Sequence, residues 1–149
     1  MRAVVQRVNK AEVLVDKTSL GKINKGLLVF LGVAEEDADT DIHYMVDKTM
    51  NLRIFEDEND KMNLSVQDIK GEILVISQFT LHGDARKGRR PSFSNAGNPQ
   101  KAERLYNQYI QSLRDNGITV ESGRFAAYME VSLINDGPVT ILLDSTKLF

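Results

Sequence analysis

The chain has 149 residues, of which 42% are hydrophobic and 27% are charged. This length and composition predict one domain, residues 1–149, with an apolar core. There is no cysteine and there are only two histidines, His43 and His82, which excludes disulfides, thiolate metal sites and His-rich metal centres. The net charge of −2 excludes a uniformly basic protein but not a local basic patch.

The sequence predicts no targeting segment. The longest apolar run, residues 27–34, is far shorter than the ~20 residues that cross a bilayer. Charged residues interrupt the apolar stretch at the start of the sequence, whereas a signal peptide needs an unbroken apolar run. We therefore expect a cytoplasmic protein with no membrane partner.

The first half of the chain is predicted to contain three strands and one helix. Alternating or continuous apolar residues predict strands over 4–8, 12–16 and 27–33. The acidic stretch at 35–41 is typical of a helix start, where the helix dipole favours negative charge. The helical spacing of apolar residues over 42–50 then predicts the first helix.

The second half is predicted to contain one helix and four strands. Asn98 as N-cap and Pro99 at the first helical position begin a helix that Asn116 and Gly117 end. The strands, with a turn predicted at 135–138 between the last two, are 72–79, 118–120, 125–133 and 139–143. About seven strands and two main helices predict an α+β fold with a mostly antiparallel, barrel-like sheet.

Polar side chains end the predicted strand at 72–79, and strand ends commonly carry functional sites. Ser77, Gln78 and Thr80 lie there. A hydroxyl acts as a nucleophile only with a base within reach, and His82 would share a face with Thr80 in an extended chain. The alternative, which we favour from the residues alone, is that these side chains satisfy local backbone groups and that His82 is exposed.

Two further segments have a functional and a structural interpretation. Four cations, Arg86, Lys87, Arg89 and Arg90, fall within five positions and form either a phosphate-binding loop or a solvated one. The Gly137–Pro138 pair is either a rigid turn or a cis bond, which proline makes accessible.

Groups that would make a strong general base do not stand out in the sequence. It contains no evident pair of carboxylates and no Cys–His pair. If the protein is an enzyme, we expect the substrate to bring its own catalytic group. Backbone N–H groups would then stabilise the developing oxyanion.

Six segments, in order along essentially the whole chain, share a family pattern. They are residues 1–8, 52–57, 61–63, 77–81, 87–93 and 135–140. Together they resemble the D-aminoacyl-tRNA deacylases, also called D-tyrosyl-tRNA deacylases, and two of them are signature motifs of that family. At positions 126 and 128 the chain has alanine and tyrosine, where glycine and a small or acidic residue are common in the family.

The resemblance implies a homodimeric enzyme that hydrolyses the ester between a D-amino acid and tRNA, and that also removes glycine from mischarged tRNA. It implies no cofactor and no metal. Gly137 and Pro138 look like the family's Gly-cisPro motif, which reaches into the pocket of the partner subunit. Its carbonyls would occupy the place of an L side chain, so that L-amino acids are rejected by a clash.

The resemblance also assigns roles to individual residues. The substrate pocket would be lined by Ser77, Gln78, Phe79, Met129 and Asn135. Thr80 is either the nucleophile or a positioning group beside the 2′-hydroxyl of the terminal ribose, and we favour the second. The acceptor-stem phosphates would meet Arg86, Lys87, Arg89 and Arg90. A rival hypothesis from another functional class is a nucleic-acid-binding module with a catalytically silent pocket.

Overall fold

The computed structural model describes residues 1–149 and contains eight strands, two α-helices and one 3₁₀ turn. The strands are β1 Arg2–Val15, β2 Thr18–Ile23, β3 Gly26–Gly32, β4 Phe55–Glu56, β5 Met62–Leu64, β6 Glu72–Ser77, β7 Thr119–Ser122 and β8 Glu130–Asp144. The helices are α1 Asp39–Asn51 and α2 Pro99–Asp115, and the 3₁₀ turn is Phe79–His82. Neither α-helix is long and apolar enough to cross a bilayer.

Six strands form one mixed, nearly closed sheet. Its order is β2-β1-β3-β6-β7, and β8 pairs with β1. β1 is antiparallel to β2, β3 and β8, whereas β6 runs parallel to both β3 and β7. The predicted α+β class, the barrel-like sheet and the two main helices are confirmed. The mostly antiparallel sheet needs correction, because α1 lies in the β3–β6 connection and α2 in the β6–β7 connection, and such crossovers produce parallel pairs.

β1 joins two strands that the sequence predicts as separate. Asn9 and Lys10 are exposed and interrupt its apolar pattern, but the backbone stays extended through them. Residues 2–8 of β1 pair with β3, and residues 11–15 pair with β2. One long strand therefore carries both halves of the sheet.

β8 likewise continues through residues 135–138. The prediction that a turn there ends one strand and separates it from the next is therefore wrong. Gln6 of β1 lies opposite Thr140, and Val8 lies opposite Asn135. Residues 136–139 therefore face the single residue Arg7 and bulge out of the ladder. The sheet continues on both sides of this bulge, and the Gly137–Pro138 pair lies at its centre.

The core lies between the sheet and the two helices. Both helices bury one apolar stripe, and the predicted α2 boundaries are confirmed because the Asn98 side chain accepts a hydrogen bond from Lys101 N at 3.0 Å. A second cluster fills the opposite face of the sheet, with Val8, Ala11, Val13, Ile23, Leu28, Leu74 and Ile76. β3 and β6 are buried on both faces, so their carboxyl ends are fixed rigidly in place.

Candidate active site

A cavity of about 540 Å³ opens at the carboxyl end of β6, and 11 of its 15 lining residues are hydrophobic. One wall carries Ser77, Gln78 and Phe79, and the opposite wall is the segment 125–129. This is the size and polarity typical of a small-molecule pocket. The structure thus brings together most of the residues that the sequence predicts to bind substrate, Met129 among them.

The 3₁₀ turn after β6 shapes the polar wall. It is anchored at its start, where Gln78 N donates to Leu31 O at 2.8 Å, and at its end, where Gly83 N donates to Thr80 O at 3.0 Å. The first N–H groups of a helical turn have no partner inside it, so those of Phe79 and Thr80 are free of the turn's own bonds. Phe79 lines the cavity and Thr80 follows it directly without lining it, so these backbone donors lie on a fixed support at the edge of the cavity.

Thr80 and His82 do not form the pair that an extended chain would allow. The segment is a 3₁₀ turn, so residues two apart point in different directions. Thr80 is exposed and its hydroxyl oxygen accepts from Gln78 Nε2 at 2.5 Å. His82 is buried, with 6% of its surface accessible, and its Nε2 has no hydrogen-bond partner. The expectation of an exposed His82 is also wrong.

The cavity wall formed by residues 125–129 packs against the core. The ring of Phe125 packs on that of Tyr106 with centroids 6.0 Å apart. A Cβ atom on Gly123 would lie 2.4 Å from Met129 Sδ, so a larger residue there would require the methionine side chain to shift. Ala126 adopts a left-handed backbone with φ of 58°, which fixes a tight turn before Met129. This turn, rather than the predicted strand, occupies 125–129.

The Gly137–Pro138 pair lies outside this cavity. The peptide bond between the two residues is cis, both residues are exposed, and neither lines the cavity. Gly137 has φ of +124°, and a Cβ atom there would lie 2.8 Å from Val139 Cγ2 and 3.1 Å from Arg7 Nη2. Only glycine fits this position without strain.

Arg7, which is not among the predicted site residues, supports the bulge from the core side. Its side chain is buried, and Nη1 donates to Ile54 O at 2.7 Å while Nε donates to Asp136 O at 3.2 Å. Asn135 Nδ2 donates to Arg7 O and to Val139 O, each at 2.9 Å. Asn135 therefore lies among the groups that hold the bulge and not among those that line the cavity. The available signal was an arginine inside an otherwise apolar strand pattern.

The basic segment is an exposed loop next to the cavity. Its base is closed by the Asp84–Ser92 bridge, and the Phe93 ring meets the Phe79 ring edge-on with centroids 5.1 Å apart. Arg86 forms an ion pair with Asp84 at 2.6 Å, which holds the pKa of the Asp84 carboxyl far below its usual range. The other three cations, Lys87, Arg89 and Arg90, are exposed and form no ion pair within 4.0 Å.

Two solved structures share this architecture. One is named c-Myc DNA Unwinding Element Binding Protein, with 43% identity, a TM-score of 0.91 and coverage of 97% of this chain and 98% of that chain. The other is described as a probable eukaryotic D-amino acid tRNA deacylase, with a TM-score of 0.80 over 95% of this chain and 97% of that chain. Its identity of 18% makes this a likeness of fold alone.

Sequence relatives cover the entire chain. A protein from Clostridioides difficile (strain 630), named D-aminoacyl-tRNA deacylase, is 63% identical over 149 residues, which is 100% of both chains. A protein of the same name from Thermotoga petrophila is 58% identical, also over 100% of both. The profile of the D-Tyr-tRNA(Tyr) deacylase family matches residues 4–144, which include the cavity, the 3₁₀ turn and the Gly137–Pro138 bulge. On this evidence the chain belongs to the D-Tyr-tRNA(Tyr) deacylase family.

Proposed function

We propose that the chain hydrolyses the ester that joins a D-amino acid, or glycine, to the terminal ribose of tRNA. The observation that carries this proposal is the apolar cavity lined by Ser77, Gln78 and Phe79, in a member of a deacylase family. The C. difficile relative is named for D-aminoacyl-tRNA deacylation, and its full-length identity supports the same activity here. With tRNA as its substrate, the enzyme would act in the cytoplasm.

The cavity would hold the terminal adenosine and the aminoacyl group. Its apolar walls, with Phe125 and Met129 on one side, suit the base and ribose. The ester carbonyl would point to the backbone N–H groups of Phe79 and Thr80. Donors fixed in place before the reaction stabilise the negative charge that develops on this oxygen, and this is a large catalytic term in acyl transfer.

Hydrolysis would proceed by attack of water on the ester carbonyl carbon. The bond from that carbon to the ribose 3′ oxygen breaks, and the 3′ oxygen ends with the proton that the water loses. The 2′-hydroxyl beside it is positioned to assist this transfer. Thr80 would orient the substrate, since its hydroxyl accepts from Gln78 and no base contacts it.

Selection against L-amino acids would come from a second copy of the chain. The Gly137–Pro138 bulge is exposed and does not line the cavity of its own chain, so it is available to another one. Its carbonyls would fill the space of an L side chain and leave a D side chain pointing outward. Glycine has no side chain to clash and would pass.

Exposed apolar side chains support the homodimer. Ile134 and Leu142 of β8 flank the bulge on the exposed side of the strand, and Phe79 at the cavity mouth is 57% exposed. Large apolar side chains exposed around a functional segment are typical of a surface that another chain covers. One association would then bury these residues and bring each bulge to the other cavity.

Competition tests the binding mode and the chemistry together. A stable amide analogue of 3′-D-tyrosyl adenosine should inhibit D-Tyr-tRNA hydrolysis competitively, and its L-tyrosyl counterpart should inhibit weakly. Equal inhibition by both forms would contradict a chiral pocket. Inhibition by neither, with hydrolysis intact, would place the reaction outside this cavity.

A mixed dimer tests whether the filter acts between subunits. One chain carries Pro138→Ala, and its partner carries Ala102→Trp, which blocks the cavity that Ala102 lines. In the mixed dimer the open cavity belongs to the Pro138→Ala chain and meets the intact bulge of the other. A filter acting between subunits predicts rejection of L-Tyr-tRNA by the mixed dimer and acceptance by the Pro138→Ala homodimer. Acceptance by both would assign the filter to the same chain.

A second candidate function is nucleic-acid binding without hydrolysis. It is favoured by the name of the structure that is 43% identical, which describes binding to a DNA element. The exposed cations Lys87, Arg89 and Arg90 would serve this function equally well. Hydrolysis separates the two candidates, because a binding module would retain tRNA and leave the ester intact.

A further inference from the structure

Tyr128 is the most exposed large hydrophobic residue in the chain, with 88% of its surface accessible. It stands on the rim of the cavity. No other aromatic ring packs on it, since the two aromatic pairs join Phe79 to Phe93 and Tyr106 to Phe125. Both faces of the Tyr128 ring are therefore free.

The backbone under Tyr128 is held firmly on both sides. Phe125 packs on Tyr106, and Met129 fills the space left by Gly123. Between them, Ala127 N donates to Arg124 O at 3.3 Å and closes the turn. A tyrosine has only two side-chain torsions, so a ring presented from a fixed turn loses little entropy when it binds a flat partner.

The size of the cavity limits what enters it. A volume of about 540 Å³ holds one drug-sized group, such as an adenosine with its aminoacyl ester. The nucleotide that precedes the adenosine must then lie outside, on the rim. The 3′ end of tRNA is single-stranded, so this nucleotide presents an unpaired base with an open face.

We propose that Tyr128 stacks on the base of the nucleotide that precedes the terminal adenosine of bound tRNA. Base–aromatic stacking is how proteins hold single strands without reading their sequence. Phe79, on the other wall, is less suited because the Phe93 ring already packs against it. Arg124, exposed in the same turn and in no ion pair, is available to the phosphate between the two nucleotides. This inference rests on the proposed deacylase function.

The test compares two substrates that differ only in the preceding nucleotides. One is 3′-D-tyrosyl adenosine, and the other is the D-tyrosyl ester of the trinucleotide CCA. For Tyr128→Ala we expect KM to rise about tenfold on the trinucleotide ester, within the range of base–aromatic stacking, and kcat to stay unchanged. KM on the adenosine ester should rise less, because that ester lacks the base on which Tyr128 stacks. Tyr128→Phe should restore the wild-type KM, because it keeps the ring.

An abasic substrate adds a matched control. Replacing the base before the adenosine by an abasic site should raise KM for the wild type as much as Tyr128→Ala does. It should have no further effect on Tyr128→Ala, because the same contact is already lost. Met62→Ala, which truncates another exposed side chain away from the cavity, should change neither KM.

The outcomes separate this inference from the proposed function. An equal rise in KM on both esters, or no rise on the trinucleotide ester, would overturn the stacking role and leave the deacylase function intact. Additive effects of the abasic site and Tyr128→Ala would overturn it as well. Failure of the wild type to hydrolyse either ester would overturn both.

Discussion

Gln78 donates a hydrogen bond from Nε2 to the Thr80 hydroxyl oxygen over 2.5 Å at the mouth of the cavity. This bond orients the hydroxyl but does not activate it, because a nucleophilic hydroxyl needs a base that accepts its proton. The nearest candidate in sequence, His82, is buried with an unpartnered Nε2. The geometry therefore favours Thr80 as a positioning group.

Thr80→Ala tests this role directly. We expect kcat on D-Tyr-tRNA to fall by no more than about tenfold, whereas removal of a catalytic nucleophile costs roughly 10⁴-fold or more. Much of the loss in kcat/KM should come from a higher KM. Single-turnover kinetics measures the chemical step, and a collapse of that step with unchanged binding would restore Thr80 as the nucleophile. Thr80→Ser keeps the hydroxyl and serves as the control.

Pro138→Ala is expected to weaken chiral selection. The proline ring fixes φ near −65°, and alanine lets the neighbouring carbonyls move away from the place of an L side chain. Hydrolysis of L-Tyr-tRNA should rise by about tenfold or more, since the filter is a steric clash whose loss is worth at least 1.4 kcal/mol. D-Tyr-tRNA hydrolysis should stay measurable. An unchanged ratio of the D-Tyr-tRNA and L-Tyr-tRNA hydrolysis rates would show that the bulge does not determine chiral selectivity.

Gly137→Ala should destabilise the fold more than Gly117→Ala. Both glycines have positive φ, so both substitutions strain the backbone by about 1 kcal/mol or more. Only at Gly137 would the new Cβ atom meet neighbours, Val139 and Arg7, while at Gly117 nothing lies within 4 Å. We expect an additional loss of about 1–3 kcal/mol at Gly137 from overpacking. Urea denaturation of the two variants measures the loss in the free energy of unfolding. Equal losses in the two variants would contradict the tight fit of Gly137 over Arg7.

The three unpaired cations of the basic loop should supply the salt dependence of tRNA binding. Replacing Lys87, Arg89 and Arg90 by alanine should weaken binding and reduce the slope of log K against log salt by about 2–3. A control replaces three exposed lysines elsewhere, Lys22, Lys61 and Lys70. A slope that falls equally in both variants would show that the loop makes no specific phosphate contact.

His82 should make stability sensitive to pH. Burial lowers the pKa of its imidazole in the folded chain, so the unfolded chain binds a proton more readily. The free energy of unfolding should fall as pH drops below about 6.5, until the lowered folded pKa is reached. His82→Phe removes the titrating group and should flatten this part of the curve. His43→Gln, at an exposed position, is the control, and an unflattened curve for His82→Phe would refute the effect.

Regular patterns in the sequence predicted the regular parts of the fold. The α2 boundaries followed from Asn98, Pro99 and Gly117, because caps act locally. The buried strands β3 and β6 followed from continuous apolar runs. β1 was predicted as two strands because two exposed polar residues interrupt its apolar pattern. Its continuity depends on pairing with strands distant in sequence, about which the local pattern carries no information.

The site was predictable where residues are adjacent in sequence and not where they meet through the fold. The 77–80 segment was identified because polar residues end an apolar strand. The conformation of this segment was not predictable, because the same sequence is compatible with a 3₁₀ turn and with an extended chain. As a result His82 is buried, whereas it was expected to be exposed. The support of the bulge by Arg7 depends on a register shift between β1 and β8, which only the three-dimensional structure reveals.

The most direct measurement is a hydrolysis time course with D-Tyr-tRNA, L-Tyr-tRNA and Gly-tRNA, using purified and chelator-treated protein. We expect rapid loss of the D-tyrosyl and glycyl esters, while the L-tyrosyl ester is lost only at the rate seen in buffer. Equal loss of all three esters would contradict the chiral filter. Loss of none beyond the buffer rate would contradict the deacylase function itself.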